Sequence, residues 1–313
     1  MTRSTILAPR ATNLDAHEIT EMLAYRRPAW SKTEECFIRD FIAPLGTRPD
    51  AYGNHILAIG NRPNVLWSCH TDTVHKRAGH QRIARDAFGN ATLGDNTGSN
   101  CLGADDTAGV WLMLEMIRAQ TPGLYVFHRA EEIGGKGSAY IARSTPKLFD
   151  DIDCAIALDR KGTDSVITHQ GTRCCSDQFA NSLADLLGRD WRLDQDGIFT
   201  DTANYVNHVG ECTNISVGYS GAHGPAERLN IDHLLTLRDT LCTLPQANLV
   251  IDRAPGDEDP DWLEYAERDP YVVRDAGNNF EEMIRLVRDN PLVVADMLEQ
   301  MGYDASDIEG WIG

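Results

Sequence analysis

Five short clusters in this sequence hold side chains that bind metal ions and carry protons: His70-Thr71-Asp72, Asp105-Asp106, Glu131-Glu132, Asp159 and His223. Imidazole and carboxylate donors together suit a divalent transition ion. Two such ions close together need a shared anion to offset their repulsion, and jointly they bring the pKa of a water between them toward neutrality. A carboxylate beside that water, but not itself a ligand, can take its proton and hand it to a leaving amine. Adjacent Glu131 and Glu132 suit that division of roles, because a turn aims neighbouring side chains differently. Taken one at a time, each cluster also has a plainer reading. A lone histidine after a strand is most often a hydrogen-bonded surface residue, and acidic pairs ahead of helices commonly cap them.

What joins the five is their place among the predicted elements. Residues 64–69, 124–128 and 154–158 are short apolar runs that read as buried strands, and 51–60, 165–168 and 214–219 read as further strands. Helical patterns cover 110–118, 176–187 and 230–244, with one more starting at Ser138. Ser31 and Glu34 form a capping-box signature for a helix to about Phe41. Alternating strands and helices imply an α/β fold of three layers, α/β/α, around a mostly parallel central sheet. In such sheets the functional loops gather beyond the carboxyl ends of the strands. All five clusters fall at predicted strand ends, so they should converge as a ligand set for a pair of divalent metals. The glycine- and asparagine-rich stretch 75–102 reads as a long functional loop.

Composition narrows the partners. Acidic residues number 47 and basic ones 29, a net charge of −18. That balance argues against binding to nucleic acid or to an anionic membrane. The apolar fraction of 42% is enough for a real core. No apolar stretch reaches the ~20 residues of a membrane span, and the first 14 residues lack a secretory leader pattern. The expected location is cytoplasmic. Eight cysteines without a C-x-x-C pair, vicinal Cys174 and Cys175 included, fit reduced and buried thiols. Residues 252–261 hold two prolines, five acids and a glycine, the composition of a linker. The expected organisation is a catalytic domain over 1–252 and an acidic linker and helical C-terminal appendage over 253–313. Amphipathic helices are expected at 279–288 and 291–301, as a candidate contact for a homo-oligomer.

The order H-T-D, G-A-D-D-x-A-G, E-E-I-G-G-K-G-S, L-D, H resembles the zinc-dependent exopeptidase superfamily, the group of peptidase T, acetylornithine deacetylase and the leucine aminopeptidases. The resemblance covers about residues 50–244. It implies a phosphorylase/hydrolase-like fold and two divalent ions, zinc by preference, with cobalt or manganese accepted. By that resemblance His70 and Asp159 bind the first metal, Asp105 bridges, and Glu132 and His223 complete the second. Asp72 orients the His70 imidazole, and Glu131 is the general base. The implied activity is hydrolysis of an amide or peptide bond, as an aminopeptidase or dipeptidase. An N-acyl amino acid deacylase would use the same residues. A non-catalytic metal-containing binding protein is the alternative of another class, and Glu131 argues against it, because metal binding alone does not need that residue.

The sequence also departs from those relatives. The peptidase T and deacetylase branch inserts a lid or dimerisation domain of on the order of 100 residues between the Asp159-type and His223-type ligands. Here that interval is 64 residues and must also supply strands and a helix of the core. Substrate selection then falls to local loops, 75–102 and 193–208. Asp201 is a candidate partner for a substrate α-ammonium, or else a helix cap. Tyr219 is a candidate oxyanion donor, or else a packed strand-end residue. His75, His80, His128 and His169 read as surface or supporting residues that no motif claims.

Overall fold

A computed structural model describes residues 13–95, 98–257 and the isolated positions 287, 288, 291 and 294. The chain divides into two compact units, Met1–Asp259 and Pro260–Gly313. The fold described here belongs to the first. The expected tail helices lie outside the described residues except at the four isolated positions, which are helical.

Eight strands form the central sheet: β1 (Arg48–Pro49), β2 (His55–Ile59), β3 (Val65–His70), β4 (Gly123–His128), β5 (Cys154–Arg160), β6 (Ser165–Ile167), β7 (Arg192–Asp194) and β8 (Glu211–Ser216). Their spatial order is β7-β6-β8-β5-β3-β4-β2-β1. The middle of the sheet, β8-β5-β3-β4, is parallel throughout, as is β6 with β7. The pairs β6–β8, β2–β4 and β1–β2 are antiparallel. The sheet is therefore parallel where the site residues leave it.

Alternation along the middle strands builds the two flanking layers. Val65, Trp67 and Cys69 of β3, Tyr125 and Phe127 of β4, and Ile156 and Leu158 of β5 join one core cluster. That cluster also holds the apolar faces of helices α1 (Asn13–Leu23), α2 (Lys32–Phe37), α3 (Ala104–Arg118), α5 (Asp177–Leu187) and α6 (Ile231–Cys242). Leu66, Leu124, Val126 and Ala155 face the opposite way, toward Ile141 of α4 (Lys136–Ser144), Phe149 and Tyr205. Cover on both faces favours apolar residues along these strands, which explains their near-continuous hydrophobic runs.

Several boundaries differ from the sequence expectation. The stretch 75–102 is not an open loop. It contributes the strands Ile83–Arg85 and Ala91–Leu93 to a small antiparallel sheet with Arg228–Leu229 and Tyr219–Ser220. The expected strand 214–219 is β8 at Glu211–Ser216, followed by separate pairing at Tyr219. The expected strand 51–60 is β2 at His55–Ile59, and Gly53 and Asn54 lie ahead of it. Helix α4 starts at Lys136, two residues ahead of Ser138. Ser31 caps α2 by accepting from the Glu34 N–H. The Glu34 carboxylate instead accepts from the Trp30 N–H, and the helix passes at Ile38 into a wider π turn.

Candidate metal centre

β3, β4 and β5 end almost level, and His70 is the register partner of His128. That alignment places the turn after β3 beside Ala130, Glu131 and Glu132. Asp159 lies near the end of β5, and Asp105 opens α3 on the same edge of the sheet. Two motif glycines permit the close packing. A Cβ on Gly109 would sit 2.1 Å from the Leu158 carbonyl oxygen, so only glycine lets α3 lie against β5. A Cβ on Gly137 would sit 2.3 Å from the Arg129 carbonyl oxygen.

The side chains meet in two sets. His70, Asp105 and Asp159 form one, and Asp105, Glu132 and His223 the other. Asp105 belongs to both. Its Oδ1 lies 3.1 Å from His70 Nε2, and its Oδ2 lies 3.4 Å from His223 Nε2. Asp159 Oδ1 is 3.5 Å from His70 Nε2, and Glu132 Oε2 is 3.3 Å from His223 Nε2. Glu131 is in neither set, yet its Oε2 lies 3.9 Å from His70 Nε2. Asp106 points elsewhere, accepting from the His70 and Gly109 N–H groups. The Asp105–Asp106 peptide bond is cis.

Neighbours hold each member. His70 Nδ1 is 3.1 Å from the Asp72 carbonyl oxygen. A carbonyl only accepts, so Nδ1 carries the proton and Nε2 is the atom presented to the carboxylates. The Asp72 carboxylate lies farther from the ring, at 3.6 Å. Its hydrogen bonds come from the Glu131 and Glu132 N–H groups, at 3.1 and 3.2 Å. Asp72 thus orients the Glu131-Glu132 turn as well as the imidazole. Asp159 is fixed by Thr200 Oγ1, which donates to Oδ2 at 2.7 Å, and by the Asn214 side chain, which brackets its backbone. A register shift in β8 beside Asn214 makes room for that contact. Ala130 and His223 adopt left-handed φ values of 63° and 65°, as do Trp30, Arg62 and Gln120 outside the site.

Electrostatics supports a cation site. Burial lifts the Glu132 carboxyl to about 7, with Asp105 adding to the effect. Burial and Asp105 lift Asp159 to about 6. Glu131 is pushed well above the usual carboxylate range by burial, with Asp159 and Glu132 contributing. The imidazoles move to compensate. Hydrogen bonds to Asp105 and Glu132 raise His223 to about 11. Burial works against protonation of His70, but Asp159, Asp105 and Asp72 outweigh it and raise its pKa. Without cations, protons on imidazole and carboxyl groups balance the charge. The donor set fits divalent ions, and Glu132 Oε1 is buried with no hydrogen-bond partner, as expected of an oxygen kept for a ligand.

The two candidate substrate residues are both buried beside these sets. Asp201 is only 1% exposed, its Oδ2 lies 3.2 Å from His128 Nδ1, and it caps nothing. Both of its carboxylate oxygens are buried without a hydrogen bond. Tyr219 is also buried, and its hydroxyl donates to the Asp159 carbonyl at 3.0 Å and lies 3.4 Å from Asp159 Oδ1. His75 and His128 are buried, not at the surface, and His128 contacts the Tyr205 hydroxyl. Sequence reasoning missed Glu34, Arg129, Thr200 and Glu227. Glu227, four residues after His223, accepts from the N–H groups of Leu102, Gly103, Ala104 and Asp105. Its spacing from His223 was the one visible signal.

Part of the chain is similar to known proteins. The family model described as Peptidase family M28 matches residues 54–202, a span that includes every cluster except His223. None of the curated proteins matches the sequence. Among solved structures, the aminopeptidase PepT of Bacillus cereus is 15% identical with a TM-score of 0.59, covering 75% of this chain and 98% of that one. The TET1 peptidase of Pyrococcus horikoshii is 15% identical with a TM-score of 0.52, covering 73% and 98%. An aminopeptidase of Desulfurococcus kamchatkensis is 15% identical with a TM-score of 0.53, covering 80% and 97%. At such identities the structural likeness is one of fold. Family model and fold point the same way, and the resemblance to the zinc-dependent exopeptidase superfamily carried by the motif order is borne out.

Proposed function

We propose that this chain is a metal-dependent hydrolase that cleaves an amide or peptide bond with water, acting as an aminopeptidase or dipeptidase. One observation carries the reading: Asp105 stands between two histidine–carboxylate sets, while Glu131 adjoins them and belongs to neither. His70, Asp105 and Asp159 would hold one divalent ion, and Asp105, Glu132 and His223 a second, with zinc the best match to the donors. Such ions supply Lewis acidity toward water and toward the scissile carbonyl. Glu131 takes the water proton on a carboxylate oxygen and delivers it to the leaving nitrogen. Asp72 keeps Glu131 and Glu132 aimed by accepting from both of their N–H groups.

The interval from Asp159 to His223 contains β6, α5, β7 and β8 with their connections, so substrate selection rests with local loops. All eight cysteines are free, which supports a reducing compartment such as the cytoplasm. Among the described residues no helix is long and apolar enough to cross a membrane. Assembly through residues 253–313 belongs to the same reading. The Pyrococcus horikoshii peptidase of this fold assembles into a tetrahedron or a large octahedral shell.

Glu131→Gln tests the proposal, because it preserves shape and removes the base. The variant should bind metal like wild type and lose roughly 10²- to 10⁴-fold in kcat on free-amine peptides. Equal hydrolysis of a broad peptide library by both proteins would remove catalysis from this site. An activity confined to acylated substrates would select the deacylase reading.

A further inference from the structure

Glu227 is 1% exposed and carries no role in the chemistry described above. Its carboxylate accepts four backbone hydrogen bonds. Oε2 takes the Leu102 and Gly103 N–H groups at 2.8 and 3.0 Å, and Oε1 takes those of Ala104 and Asp105 at 2.7 and 3.1 Å. These four consecutive groups form the turn that presents Asp105. Gly103, at the head of that turn, has a left-handed φ of 75° and offers no capping side chain. Glu227 performs the capping from a distant part of the chain. It also ends the turn that begins near His223, and Arg228–Leu229 then pairs with Ala91–Leu93. One carboxylate therefore ties the Asp105 turn to the His223 turn.

We propose that Glu227 is a positioning residue that sets the distance between Asp105 and His223 and so builds the second of the two cation sites. The inference rests on the two-metal reading of the site. The two sets are supported unequally. His70 and Asp159 lie on β3 and β5, in the middle of the sheet, and are held by Asp72, Thr200 and Asn214. The His223 side chain is 42% exposed and sits in a turn outside the central sheet. Its spacing to Asp105 depends on the Glu227 bridge. Glutamine cannot replace the carboxylate there, because its amide NH₂ would face two N–H donors.

The test uses the full chain, stripped of metal by chelation and titrated with Zn²⁺ by calorimetry. Wild type, Glu227→Gln, Glu227→Asp and His223→Ala are compared. Wild type should bind two ions. Glu227→Gln should keep one near wild-type affinity and weaken the other roughly tenfold or more, the usual scale for loss of a group supporting a metal ligand. Its isotherm should approach that of His223→Ala. Glu227→Asp keeps the charge but is one methylene shorter, so it should also be impaired, and it carries the comparison if the glutamine variant does not fold. In the glutamine variant kcat should fall with KM little changed. Unchanged binding of both ions would overturn the proposal. Equal weakening of both ions in Glu227→Gln, with wild-type binding by Glu227→Asp, would also overturn it by assigning the effect to charge alone. A wild type that binds fewer than two ions would instead bring down the two-metal reading and this inference with it.

Discussion

The buried pair of Glu34 and Arg129 permits a quantitative prediction. Arg129 Nη2 and Nε donate to Glu34 Oε2 and Oε1 at 2.6 and 3.1 Å. The same carboxylate accepts from Thr71 Oγ1 at 2.7 Å and from the Trp30 N–H at 2.6 Å. The arginine side chain is 12% exposed and the glutamate fully buried. Removing one partner from such a pair costs about 3–5 kcal/mol, because the other charge is left uncompensated. Arg129→Met should be the more damaging change, since it strands a carboxylate with no access to water. Glu34→Gln strands a guanidinium that can reach solvent and still lies 4.3 Å from the Trp30 ring centroid. At roughly 2–4 °C per kcal/mol for a unit of this size, either variant should melt several degrees lower. The double variant should cost clearly less than the sum of the two, with a coupling of at least about 1.5 kcal/mol. Urea unfolding in chelator at neutral pH keeps metal binding out of the measurement. Additive single costs, or a Glu34→Gln cost within about 0.5 kcal/mol of zero, would refute the argument that this pair clamps the turn after β3 to the turn after β4.

Two pH-dependent outcomes follow from the buried titratable groups. Burial, helped by Arg27, lowers His75 to about 4, so the folded protein keeps it neutral. A depressed folded pKa means stability is intact above the unfolded value near 6.5 and lost as pH falls toward 4, by up to about 3 kcal/mol; a His75→Gln variant should show a flatter urea midpoint across that window. The metal-free cluster has the opposite sign: Glu132 and Asp159, raised to about 7 and about 6, favour folding when protonated and withdraw that stability as pH rises from about 4 through 7. Zinc should therefore raise the melting temperature more at pH 7.5 than at pH 5, and calorimetry in buffers of different ionisation enthalpy should record net proton release on binding; metal uptake without proton release would contradict the assignment of protons to His70 and His223.

The parts of the fold legible in the sequence were those whose burial is symmetrical. β3, β4 and β5 are covered on both faces, so their apolar runs could not be mistaken. β8 is equally buried, but it reads Glu-Cys-Thr-Asn-Ile-Ser. Its polar side chains are satisfied internally. Glu211 accepts from Ser176, Asp252 and Arg253, Thr213 donates to the Ile167 carbonyl, and Asn214 brackets Asp159. Hydrophobic periodicity is blind to such a strand, which is why its expected position slipped by three residues. The small sheet was invisible for another reason. Its strands of two or three residues pair Arg228 with Thr92 across the chain, and nothing local marks them.

The site divides along the same line. His70, Glu131, Glu132 and Asp159 were legible because they adjoin recognisable strand ends, whereas Asp105 opens a helix and His223 sits in a turn, so the motif order alone marked those two. The groups that support them come from distant parts of the chain: Glu34 for Thr71 and Arg129, Thr200 for Asp159, Glu227 for Asp105. Most of these supports act on backbone groups or on one another, so no spacing rule announces them. Together they leave Asp105, Glu131, Glu132, Asp159 and Glu227 crowded into one buried edge, with His70 and His223 among them. Several of these carboxyls are raised in pKa as a result. Like charges gathered out of water destabilise a fold unless something neutralises them. Two divalent ions at the Asp105 bridge would do so, and the same neutralisation would free Glu131 to act as a base near pH 7.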